Sequence, residues 1–166
     1  MTLDEGTQRF VEAWGTFATH WGINRTMAQV HALLLVSAKP LHADGIMETL
    51  KISRGNANMN LRALVDWGLV HKNLVPGERR EYFTAEKDMW VVIRQIIIHR
   101  KKKELEPVLR VLSEVSQVDG DSPDEIEFRR VIQDIMLFSH KANKTLDGII
   151  DSDSRWFVGT FMKMIK

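Results

Sequence analysis

The sequence predicts a mainly α protein carrying one small β element. Three observations predict it. Apolar residues recur at helical spacing through most of the chain, and glycine and proline punctuate those stretches near their ends. Only residues 69–75 and 80–84 read as strands, joined by the turn Pro76-Gly77-Glu78-Arg79. A length of 166 residues suits one domain of ordinary size, and 44% hydrophobic against 27% charged residues is the balance of a globular chain.

Phe10, Trp14, Phe17 and Trp21 step by four, three and four, which lays four aromatic rings along one stripe of a first helix that Gly22 ends. So much aromatic surface on one helix needs a cover, and a partner subunit is the candidate. Thr26-Met27-Ala28-Gln29 has the form of a capping box for a second helix with Val30, Leu33, Leu34 and Leu35 on its apolar face, stopped by Lys39-Pro40. A short helix over residues 42–50 buries Ile46, Met47 and Leu50. After Lys51-Ile52, Ser53 caps a further helix that runs to Trp67 and stops at Gly68.

The strand pair follows, and Thr84 is expected to cap a long helix bearing Trp90, Val91, Ile93, Ile97, Leu105, Val108, Leu112 and Val115. Pro107 inside it predicts either a kink near Lys103 or a break into two helices, because its ring removes a hydrogen bond and crowds the preceding turn. Ser122-Pro123-Asp124-Glu125 opens another helix to about Ile150, and the apolar residues 153–166 are expected to dock as a last one.

The chain has no cysteine, which excludes disulfides, zinc–cysteine sites and thiol redox chemistry. The acidic N-terminus lacks a secretion signal and no apolar run reaches bilayer length, so a cytoplasmic protein without membrane contact is expected. No phosphate-binding loop, dinucleotide fingerprint, nucleophile elbow or zinc-protease motif is present, and the six histidines are scattered. The expectation is no enzyme, no metal and no cofactor. Asp119-Gly120-Asp121 misplaces the glycine of a calcium loop and reads instead as an acidic helix start. The basic residues Arg94 and Arg100 to Lys103 read as a solvated stretch of the long helix.

Two helices, a tight turn and a hairpin directly after the second helix is the order of a winged helix-turn-helix, whose second helix enters the major groove of duplex DNA. Residues 1–166 are expected as a single unit. In it 24–92 are the DNA-binding part, and 1–23 and 93–166 are helical extensions for dimerisation and effector binding. With Ala57, Leu61, Leu64 and Val65 facing the core, Gly55, Met59 and Arg62 face outward and Asn56 and Asn58 flank them. Asn56, Asn58 and Asn60 beside Gly55 are poor helix formers, each costing roughly 0.5–1 kcal/mol against alanine. Reading of base edges explains their choice: the amides can pair with adenine, Arg54 or Arg62 can reach guanine or phosphate, and Gly55 admits a close backbone. Ser53 shares that helix start, Arg79 and Arg80 sit at the hairpin tip, and Lys51 and Lys72 add phosphate contacts. Residues 39–80 hold seven bases against four acids, a modest local excess. An adaptor that binds proteins and never touches DNA is the rival reading.

The run Ile52-Ser53-Arg54-Gly55-Asn56-Ala57-Asn58-Met59-Asn60-Leu61-Arg62-Ala63-Leu64-Val65-Asp66-Trp67-Gly68-Leu69-Val70, with Pro76-Gly77-Glu78-Arg79-Arg80-Glu81-Tyr82-Phe83, resembles the GbsR-type branch of the MarR family. The resemblance implies a bacterial dimeric repressor with one winged helix per subunit and dimer contacts from the terminal helices. Those contacts would come from Phe10, Trp14, Phe17, Trp21, Trp156, Phe157 and Phe161. It also implies a small-molecule effector such as choline, which aromatic cages bind by cation–π attraction. Trp67, Tyr82 and Trp90 are the candidates for such a pocket, against the simpler reading that they are packing residues.

Overall fold

The computed structural model describes residues 1–152 except Val75, so Trp156, Phe157, Phe161 and the expected last helix lie outside the described residues. The described chain divides into two compact units, Met1–Val92 and a second that begins at Ile93.

In the first unit, α1 (Leu3–His20) opens on a Thr2–Glu5 capping box and ends where Gly22, at φ +71°, lets the Ile23 amide reach back to the Ala18 carbonyl at 3.0 Å. The core-facing stripe of α1 is Val11, Gly15 and Ala18, not the aromatic one. At Gly15 the helix lies so close to α2 (Arg25–Val36) that an added Cβ would stand 2.7 Å from Gln29 Cγ. The aromatic stripe runs beside this contact as a ladder with centroid separations of 5.5, 6.0 and 6.0 Å from Phe10 through Trp14 and Phe17 to Trp21. Phe17 and Trp21 are exposed.

Helix α2 starts two residues earlier than the Thr26 box suggests. Asn24 is the cap, its side-chain oxygen accepting from the Met27 amide at 3.1 Å, because the shorter Asx side chain one residue outside the helix reaches the free amide. It is the central helix of the unit and buries Met27 through Leu34 except Gln29. A strand absent from the sequence reading, β1 (Leu41–His42), precedes α3 (Ala43–Leu50); two residues are too few to show alternation. His42 also caps α3, its Nδ1 accepting from the Gly45 amide at 3.1 Å.

Helix α4 (Arg54–Asp66) packs on α2 and α3, and Gly68 at φ +71° ends it with a Leu69-to-Leu64 bond of 3.0 Å. Strands β2 (Val70–Leu74) and β3 (Glu81–Ala85) form the expected hairpin, and β1 pairs on the far side of β3. The antiparallel sheet therefore has the order β1-β3-β2, with Leu41 opposite Phe83 and Lys72 opposite Phe83 on the other edge. Val30, Leu34, Ile46, Leu61, Leu64, Val70 and Val92 are sealed from solvent and make the core.

The expected Thr84 cap is a correction. Thr84 lies within β3, where its hydroxyl accepts from Asn73 Nδ2 at 2.9 Å, and α5 (Met89–Arg100) is capped by Asp88, whose carboxylate accepts from the Trp90 amide at 2.8 Å. The irregularity expected from Pro107 falls near Lys103, and its form is a change of helix type within a continuous helical run. A π-helical turn, Lys101–Leu105, precedes α6 (Glu106–Val115), and the Glu106 amide bonds the Lys101 carbonyl five residues back. The wider turn makes room for the proline ring and absorbs its missing donor. In the second unit α6 pairs with α7 (Pro123–Asp151), which opens on the expected Ser122–Glu125 box. Asp147 of α7 takes Lys101 Nζ and the Asn143 amide. Among the described residues no helix is long and apolar enough to cross a membrane.

Candidate nucleic-acid interface

Helix α4 divides into two faces. Ala57, Asn60, Leu61 and Leu64 are buried, while Ser53, Arg54, Gly55, Asn58, Met59 and Arg62 are exposed and Asn56 is half-buried. The outward set named from sequence therefore does share one surface, at the start of the helix. Ser53 is its cap, with Oγ accepting from the Asn56 amide at 3.2 Å. Lys51 makes the turn between α3 and α4 in the left-handed conformation, φ 54° and ψ 44°, two residues before the Ser53 cap of α4. At Gly55 a Cβ would meet nothing within 4 Å, so packing within the chain gives no reason for glycine there.

The third asparagine is a correction. Asn60 does not join the outer face: it is 3% exposed, and its Nδ2 donates to the Asn56 carbonyl at 2.9 Å and to Asn56 Oδ1 at 2.7 Å. Position had pointed this way, since 57, 60, 61 and 64 follow the helical stripe of a core face; residue type outweighed spacing in the sequence reading.

The charges form two classes. Arg54 is 71% exposed and holds Asp44 of α3 at 2.8 Å, and Lys72 pairs across the strands with Glu81. Lys51, Arg62, Arg79 and Arg80 make no ion pair among the described residues and are exposed. Surface pairs of the first class are worth about 0–1 kcal/mol, so they orient a cation without withholding it from a phosphate. Sequence reading missed both acids as partners, because Asp44 and Glu81 lie far along the chain from Arg54 and Lys72.

At the hairpin tip the Tyr82 hydroxyl donates to Glu78 Oε2 at 2.6 Å, which holds the phenol above its usual range, and the Tyr82 ring meets His42 edge-on at 5.8 Å. Tyr82 is thus tied to the wing and to β1. Trp67, the C-cap of α4, and Trp90, in the first turn of α5, are half-buried. No group of three or more histidine, aspartate or glutamate side chains suited to a metal ion occurs among the described residues.

Comparison with known proteins adds three findings. Residues 21–81 match the model of the MarR family. A crystal structure of a transcriptional regulator aligns over 86% of this chain and 99% of its own at a TM-score of 0.57 and 19% identity. A MepR mutant from a multidrug-resistant S. aureus clinical isolate aligns over 82% of this chain and 91% of its own at 0.41 and 16%. No curated protein matches the sequence. The matched residues run from the end of α1 through the helix-turn-helix to the first residue of β3, and the likeness to the first of the two structures is one of fold. The chain has a winged helix-turn-helix fold, and its residues 21–81 match the MarR family model.

Proposed function

We propose that the protein is a sequence-specific regulator of transcription that binds double-stranded DNA as a homodimer and acts as a cytoplasmic repressor of the GbsR type. The carrying observation is the outer face of α4: Gly55, Asn58, Met59 and Arg62 are exposed, and Asn58 and Arg62 have no hydrogen-bond or ion-pair partner among the described residues. A helix start with exposed amide and guanidinium groups, followed by an arginine-tipped wing, has the donors and acceptors to read base edges and the charge to grip phosphates. Ser53, Arg54, Asn56, Lys51 and Lys72 complete the proposed contact set. The ladder of Phe10, Trp14, Phe17 and Trp21, in which the Phe17 ring is exposed, supports the homodimer, as aromatic surface on one helix favours a second copy.

Titration of fluorescent DNA from upstream of the protein's own gene tests this reading at several salt concentrations. Specific affinity should fall steeply as salt rises, and Asn58→Ala with Arg62→Ala should weaken it roughly 10- to 100-fold while helix content is kept. Equal binding by wild type and the double variant would remove the proposed reading face. The branch resemblance extends the proposal to an effector, choline or a related osmoprotectant; choline added to the same titration should release the DNA, and undiminished binding removes that part alone.

A further inference from the structure

The buried amide of Asn60 fixes what its exposed neighbour can read. A backbone carbonyl can only accept, so the Asn60 atom 2.9 Å from the Asn56 carbonyl oxygen is its NH2 group. That same group lies 2.7 Å from the Asn56 side chain, where its partner is Oδ1. The orientation of both amides follows from one acceptor of known identity. The Asn56 oxygen is turned toward Asn60, inside the fold. Its own NH2 stands on the other side of the planar amide, with both hydrogens unpartnered among the described residues.

Adenine is read by an asparagine that accepts from N6 and donates to N7 together. The Asn56 oxygen accepts from buried Asn60 and is turned toward it, so the edge that Asn56 presents outward carries donors. Asn58 carries no such bond and keeps both halves of its amide. Resting on the DNA-reading proposal above, we infer that Asn60 is a positioning residue that sets Asn56 to donate only, so that Asn56 reads the N7 and O6 acceptors of guanine and not the adenine edge.

Selection from a pool of randomised duplexes with the full-length protein tests this. The position read by Asn56 is the one whose preference Asn56→Ala erases. Guanine is expected there, about tenfold over adenine. Asn60→Ala improves helix propensity and removes the positioning bonds, leaving a small void where the buried side chain stood, and it should bring guanine and adenine within about twofold of each other. Asn56→Asp keeps an oxygen for Asn60 and replaces the outward donor by an acceptor, at a helix start where aspartate is favourable; preference should move to cytosine, whose N4 group donates.

Adenine at that position overturns the inference, as does a guanine preference that survives Asn60→Ala. If Asn60→Ala does not fold by circular dichroism, retention of guanine by Asn56→Asp overturns it instead. An Asn56→Ala protein with unaltered selection at every position does so too. A wild-type protein that enriches no sequence at all takes down the DNA-reading proposal and this inference together, whereas enrichment of the wrong base takes down the inference alone.

Discussion

The first unit and the helices that follow it treat apolar residues in opposite ways. In Met1–Val92 seven large side chains, from Val30 to Val92, are below 2% exposure, and they come from α2, α3, α4, β2 and α5, so distant parts of the sequence close over one another. In α6 and α7 the deepest hydrophobic residue is Leu112, while Val108, Val111, Ile126, Phe128, Ile135, Leu137 and Phe138 stay exposed, Phe138 at 74%. The lesson is that the winged helix closes its own core, whereas the helical hairpin carries apolar residues that stay exposed among the described residues. A second copy covering some of them is consistent with the proposed homodimer.

The strongest way to break this comparison is to open a cavity in the first unit. Ile46→Ala should cost about 2–5 kcal/mol in chemical denaturation, and a loss below 1 kcal/mol would show the core to be less tightly packed than its burial implies.

Acid should reach the same core through His31. It is buried in α2 with Nε2 unpartnered among the described residues, and burial lowers its pKa from 6.5 to about 4. The native state refuses the proton that the unfolded chain takes up, so stability is fully present above pH 6.5 and falls as pH drops toward 4, by about 3 kcal/mol in all. His31→Leu should remove that slope in denaturation series run across the range; an unchanged slope would assign it to other groups.

A smaller effect separates folding from recognition on α4. Gly55→Ala should stabilise the protein by about half a kcal/mol, because the space beside it is open, while weakening specific DNA binding. A gain in both stability and affinity would mean that no backbone approaches there.

The smallest change in chain stability is expected on the hairpin. Leu137→Ala with Phe138→Ala should shift the unfolding midpoint of the isolated chain little, within roughly 0.5 kcal/mol per site, yet sedimentation should show weaker self-association. Unaltered self-association would place the dimer contact elsewhere.

Much of this architecture was legible because its signals are local. Gly22 and Gly68, the Ser53 and Ser122 caps and the 57-61-64 stripe each act within one or two turns of chain, and each element they announce is present. What sequence concealed was set by the third dimension. Asn24 and Asp88 outcompete the nearby Thr26 and Thr84 as caps because the chain enters those helices at a different residue from the one the threonines mark. β1 exists because β3 has a free edge for it, which two residues cannot advertise. Within the candidate interface the outward face followed from periodicity. The inward turn of Asn60 and the pairing of Arg54 with Asp44 did not, since composition reveals what a side chain can bond and not what stands beside it.

The row of rings on α1 has a practical corollary. Two of the five tryptophans, Trp14 and Trp21, stand in it, and Trp21 is 58% exposed. Indole emission moves to shorter wavelength as water leaves its surroundings. The protein therefore carries an intrinsic optical gauge: dilution that strips a companion molecule from this stripe should redden its fluorescence, with no dye attached.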